Sequence, residues 1–410
     1  MNLDRIIRVT SFYLFLTGYH IRWYDRKSLH YRLQICGIVY FLILFLLYLI
    51  CFCHHFESSS MLKLLLDMSP FLKDLVRLQV LLGLKAFVFC MIEWKNLTKI
   101  SNDLVRILTE TLKRQDSFDM WEASIYLMFF STLMVAFTFG LYIAIELKFE
   151  LPPLDHIMIG LGLFIPHLTV AGCLRLYTLG LCSIKRELVI MRSILEEHDD
   201  DIISKNLQSN VVVEIVNPVL NQNSNDFTLF YANISKRLDF IAHYLKLFDS
   251  VLQRQLGVLV GLNFNCLLAG VYGRVYFENS WNVLFTNRNR RIFYASNSAI
   301  FVCILLDYAI LLITRWNFVR AKQNLYEIIV ARLFEKKRLV VEIKSILKHI
   351  KHKLSKDFKL KLFGLVEFNT WNFLMLQGLM ISIIALIISH QYLNDQIKTL
   401  TERLDINESE

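Results

Sequence analysis

Seven stretches of this sequence are long and apolar enough to cross a lipid bilayer, and they limit its fold more than any other feature. Hydrocarbon offers the backbone no hydrogen-bond partners, so a crossing segment must be a helix or part of a closed barrel. A run of about 20 predominantly apolar residues is the length of a helical span. The runs cover about 35–53, 75–92, 124–146, 154–182, 256–277, 294–313 and 371–393. Arg77 and Lys85 interrupt the second, where long stems let the charges reach toward headgroups. Composition agrees: 55% of the 410 residues are hydrophobic, only 20% are charged, and 31 are Phe. The expected fold is an all-α membrane protein, with residues 1–410 forming one seven-helix domain.

Orientation follows the Lys and Arg of the connecting segments, which stay on the cytoplasmic side. The N-terminal segment and the second, fourth and sixth loops carry 33, against 8 on the other side. This predicts a cytoplasmic N-terminus and, after seven spans, an extracellular C-terminus, the reverse of a G-protein-coupled receptor. The third span also ends in "IAIELKF" rather than an acidic-Arg-aromatic triplet. Residues 1–20, "MNLDRIIRVTSFYLFLTGYH", read as a partly amphipathic cytoplasmic segment lying along the headgroups. The eight cysteines all fall in or at the ends of spans, where Cys serves as a small apolar side chain.

Two stretches on the basic side extend the spans. In 183–255, "SIKRELVIMRSILEEH" continues the fourth helix. After a polar linker, Leu238, Ile241, Leu245, Phe248, Val251 and Leu252 recur at helical spacing into the fifth span. In 314–370 there are fourteen basic and five acidic residues on a helical pattern free of Pro as far as Leu354. The lysines suit retention on the cytoplasmic side and contact with anionic lipid. The apolar stripe predicts a cytoplasmic anchor bundle.

No phosphate-cradling Gly loop, nucleophile elbow, HExxH or paired membrane carboxylates is present. The basic loops lack a nucleic-acid module. These absences argue against an enzyme, and no cofactor, metal or nucleic acid is called for. Polar residues at membrane depth carry what chemistry remains, since such groups are paired or functional. The outer halves of four spans offer Thr138 and Tyr142, His167, Tyr272 and Tyr276, and Asn297 with Tyr294. Aromatic walls with a few polar groups suit a small organic ligand, though interfacial anchors and interhelical hydrogen bonds use the same residues. Asp307 and Arg175 lie at similar depth and are expected to form a structural ion pair. In the last span Thr370, Gln377, Ile381, Ile384 and Ile388 share a helical face. Gln377 there is either a lone amide bonded to a neighbouring helix or one member of a ring around a wetted path closed by isoleucines.

The segment "TWNFLMLQG", Thr370 to Gly378, resembles the signature of insect gustatory receptors: Thr-Tyr, five mostly hydrophobic residues, then Gln-Phe. Trp371 stands for the Tyr and Gly378 for the Phe. "RLDFIAHYLKLFDSVLQRQLG", entering the fifth span, is similar to this family as well, as are the length, span number and inverted topology. The resemblance implies a ligand-gated cation channel, a homo- or hetero-tetramer whose last spans line a pore and whose cytoplasmic helices form a shared anchor. Each subunit would hold a small-molecule tastant in its outer half. Gln377 and Gly378 would then belong to the gate, with Leu379 or Ile381 as plug where the Phe is missing. Divergence at the signature leans toward the bitter-type group. A non-conducting modulatory subunit, an odorant receptor and a metabotropic receptor are the alternatives.

Overall fold

The computed structural model describes residues 3–25, 28, 30–57, 70–112, 133, 167, 169, 172–196, 219–276, 287–335, 341–362, 366–367 and 370–409. In order they form α1 (Leu3–Leu16), strands β1 (Arg22–Asp25) and β2 (His30–Leu33), α2 (Ile35–Glu57), α3 (Pro70–Ile92) and α4 (Trp94–Leu112). A helix over 172–196, α5, follows. Then come α6 (Val219–Tyr276), α7 (Asn287–Glu335), α8 (Val341–Lys356), β3 (Lys361–Leu362), β4 (Val366–Glu367) and α9 (Thr370–Ser409). Among the described residues, Ile35–His54, Pro70–Ile92, Thr228–Val275 and Arg290–Phe334 are long and apolar enough to cross a membrane. The expected span at 124–146 lies outside the described residues, apart from Leu133.

The apolar stripe expected to lead into the fifth span is buried along its length: Leu238, Ile241, Leu245, Phe248, Val251 and Leu252 are at most 3% exposed. They belong to a continuous core with Leu181, Ile184 and Leu188 of α5, Phe318 and Leu325 of α7, and Ile343, Leu347 and Ile350 of α8. Phe248 stacks on Tyr177 at 5.2 Å between ring centroids. A Cβ at Gly180 would collide with the Phe248 ring, so a bare backbone lets the two helices close. Charges here are matched rather than missing. Buried Glu187 accepts a hydrogen bond from Arg237 Nε at 3.0 Å. Buried Arg332 donates to the Tyr231 hydroxyl at 2.5 Å and to the Leu195 carbonyl. Lys353 of α8 pairs with Asp239 of α6.

The structure corrects the sequence reading in three places. Residues 3–20 do not simply lie along a surface. Ile7, Tyr13, Leu14 and Tyr19 are buried in the main core, while Phe12 and Leu16 face outward. Gly18, at φ 70°, closes α1 in a conformation that costs glycine little. That turn returns the chain as the antiparallel pair β1–β2, with Tyr24 opposite Tyr31. Side-chain bonds fix this unit: Ser11 Oγ to the Tyr31 hydroxyl at 2.6 Å, and Tyr31 N–H to Asn102 Oδ1 at 2.8 Å. Second, the fold is not purely α, because β3 pairs with β4 as a second short ladder before α9. Third, the helical pattern of 314–370 is divided: α7 ends at Glu335, and α8 packs back against α6 and α7.

Candidate functional site

Two places bring residues singled out from the sequence into packed groups between helices. The first is a polar cluster between α3, His167 and α6. Asn265 Nδ2 donates to the Leu75 carbonyl at 2.8 Å and to Gln79 Oε1 at 2.9 Å. Gln79 Nε2 lies 2.9 Å from His167 Nε2 and 3.3 Å from Cys266 Sγ, and His167 Nε2 is 3.2 Å from that sulfur. For the amide to donate to His167, the imidazole must carry its proton on Nδ1, which fixes the tautomer. Gln79 and Asn265 are 2% exposed, while His167 and Cys266 are half-buried, so the amides form the inner part of an interlocked set of dipoles. Removing Gln79 leaves the buried Asn265 amide short of a partner.

The second place is the inner face of α9. Ile384 and Ile388 are buried against Leu72 and Leu75 of α3 and Leu268 and Tyr272 of α6. Tyr272 is fully buried, edge-on to Phe71 with ring centroids 5.0 Å apart. Gln377 lies one helical turn before Met380 and two before Ile384, and it and Asn263 lie beside the Tyr308 hydroxyl. Its Nε2 is shielded from solvent. The opposite face is open. Met375, Leu379 and Leu386 are 57–71% exposed, and nothing lies within 4 Å of a Cβ placed at Gly378.

The face proposed from sequence is therefore divided. Gly378 and Ile381 are exposed, Gln377 is half-buried, and Ile384 and Ile388 pack inward. Among the ligand candidates, His167 and Tyr272 belong to the two packed groups just described, and Asn297 is half-buried on α7. Thr138 and Tyr142 lie outside the described residues, as does the side chain of Tyr276. Arg175 is buried with its guanidinium 3.4 Å from the centroid of the Tyr13 ring, and Asp307 is among the charges acting on it. Sequence reasoning missed Gln79, Asn263, Asn265 and Tyr308. A signal was there: "NFNC", Asn263 to Cys266, places two amides in an otherwise apolar run.

Outside the spans, His20 anchors the N-terminal unit. Arg22 N–H donates to its Nδ1 at 3.3 Å, and Ser101 Oγ lies 3.2 Å from its Nε2. Burial pushes its pKa down to about 4 and pushes the neighbouring Tyr31 up to about 12. Both side chains are held neutral at physiological pH.

No family model matches the sequence, and no curated protein matches it. The fold is similar to the solved structure of the insect olfactory receptor OR5 from Machilis hrabei. Identity is 12%, the match covers 94% of this chain and 98% of that one, and the TM-score is 0.62. The same receptor in complex with eugenol matches over the same shares, at 12% identity and a TM-score of 0.66.

Proposed function

We propose that this chain is a multi-pass membrane chemoreceptor, a subunit of a ligand-gated, non-selective cation channel opened by a small organic molecule. The observation that carries the reading is a fold shared over 94% of the chain with an insect olfactory receptor that is also solved with eugenol. In this reading four subunits, identical or mixed, surround an axis lined by the open face of α9. Leu379 and Leu386 lie at the centre of that face, with Gly378 and Ile381 at its flanks. Ile384 and Ile388 hold α9 to its own subunit. Gln377, facing Tyr308 and Asn263, links the pore helix to α6 and α7, so a shift in either is felt at the gate. The ligand would sit among His167, Tyr272, Tyr276, Asn297, Thr138 and Tyr142, with Gln79 setting the His167 proton. Asp307 and Arg175 serve as a structural ion pair below it.

The resemblance of Thr370 to Gly378 to the gustatory signature supports a tastant, of bitter type, as the ligand class and the sensory-neuron plasma membrane as the location. A second reading, a non-conducting modulatory subunit, draws support from Gly378, which puts no side chain where the signature has Phe.

The test is whole-cell recording with a tastant panel, alongside surface labelling of tags before Met1 and after Glu410. The expected result is labelling of the C-terminal tag alone on intact cells and ligand-evoked currents altered by Gly378→Phe. Silence alone with currents on co-expression moves the reading to the modulatory subunit. Labelling of the N-terminal tag alone overturns both.

A further inference from the structure

We propose that the last third of α9 assembles with its counterparts in other copies of this chain as a parallel coiled coil standing outside the membrane. α9 is an unbroken helix of 40 residues. At 1.5 Å per residue that is about 60 Å, twice the roughly 30 Å of bilayer hydrocarbon. Beyond His390 the composition turns polar, with Asn394, Asp395, Lys398, Glu402, Arg403 and Asp405, yet the helix continues to Ser409.

Apolar residues persist there on one schedule. Leu393, Ile397, Leu400 and Leu404 are spaced four, three and four apart, the alternation of a and d positions in a heptad. The same register runs back past His390, a polar residue at one a position, to Leu386, Ile383 and Leu379, so apolar residues fill seven of eight seam positions over more than three heptads. The seam also points away from its own subunit: Leu393, Ile397 and Leu400 are 56–60% exposed. Inside the bilayer such exposure costs little, because lipid tails are as apolar as Leu. Past His390 the same side chains meet water, where apolar area drives association.

The occupant is a second copy of this chain. Copies inserted with one topology present their α9 helices side by side and parallel, with equivalent residues at equal height. In a parallel pair, a g residue meets the e residue five positions on in the partner. Here g is Arg403 and that e is Glu408, so the register assigns residues of opposite charge to facing positions. The inference rests on the proposed function only for placing this bundle on the pore axis; the pairing needs only that copies share a membrane.

The test uses the full-length chain in cell membranes. Cysteine is introduced singly at the seam, as Ile397→Cys and Leu400→Cys, and off it, as Lys398→Cys and Glu402→Cys. Mild oxidation is followed by non-reducing electrophoresis, with the unsubstituted chain as background for its eight cysteines. Seam variants are expected to form at least fivefold more cross-linked dimer than off-seam variants. Equal cross-linking at all four positions, or none at the seam in protein that reaches the surface, overturns the proposal. Currents recorded from the same cells keep the two ideas apart. Seam cross-links without ligand-evoked current break the channel reading alone, and current without cross-links breaks the coiled coil alone.

Discussion

α6 and α9 are each longer than a bilayer is thick, and their apolar residues meet opposite fates. Along the middle of α6 the stripe from Leu238 to Leu252 is sealed by α5 and α8 of the same chain. Along α9 one narrow stripe is buried, while Leu379, Leu386 and Leu393 are more than half exposed. The first region carries its own interior; the second offers an apolar surface to something outside the chain. A helix of the α6 kind is stabilised by neighbours it always has. One of the α9 kind depends on lipid or on other copies, and the chain leaves such residues free of local contacts.

The comparison is broken most directly at Phe248. Phe248→Ala removes a ring stacked on Tyr177 and wedged against Gly180, and should cost about 3–5 kcal/mol. Its thermal midpoint, followed in detergent, should fall well below that of the unsubstituted chain. A midpoint unchanged would mean this end of the bundle is not the interior it looks to be. Next in size is Glu187→Ala, which strands Arg237 beside buried surface and should cost about 3 kcal/mol; adding Arg237→Met in the same chain should recover most of it.

Acid gives the third test. His20 has its pKa pushed down by burial to about 4, against 6.5 unfolded. Between those values the unfolded chain binds the extra proton, so stability falls as pH drops below about 6.5. One pH unit is worth about 1.4 kcal/mol per group, so at pH 5 the loss approaches 2 kcal/mol. His20→Gln should flatten that part of the profile, and a profile no flatter would place the acid-sensitive group elsewhere.

The smaller effects belong to α9. Gln377→Ala should cost about 0.6 kcal/mol, the scale of one interhelical hydrogen bond in a membrane, and should change gating more than the thermal midpoint. Leu386→Ala should leave the midpoint within about 0.5 kcal/mol while altering conductance. A large stability loss from Leu386→Ala would erase the contrast between the two helices.

What the sequence revealed follows the same division. The buried stripe of α6 was legible because one helix face repeats every three to four residues, and that repeat is local. The division of α9 was not. Gln377, Ile384 and Ile388 fit one face on paper, but which side of it turns inward depends on Tyr308, Asn263 and Leu72, residues far away in the chain. His20 was invisible for the same reason, since Ser101 meets it across 81 residues. The ladder β1–β2 was hidden because four-residue strands carry too short an alternation to stand out beside helical spans. "NFNC" was readable as two amides in an apolar run, but Leu75 and Gln79, the partners of Asn265, lie far away in the chain.

α7 runs from Asn287 to Glu335 without a proline or glycine. A helix of 49 residues is a rod of about 73 Å. Pivoting by about 3° near its middle, such a rod swings each tip by about 2 Å in opposite directions. Asn297 sits near one tip, Tyr308 closer to the fulcrum, and Arg332 near the other tip, clasped to Tyr231. Were the rod to pivot as one body, Asn297 and Arg332, on opposite arms, would move in opposite directions, Arg332 through the larger arc.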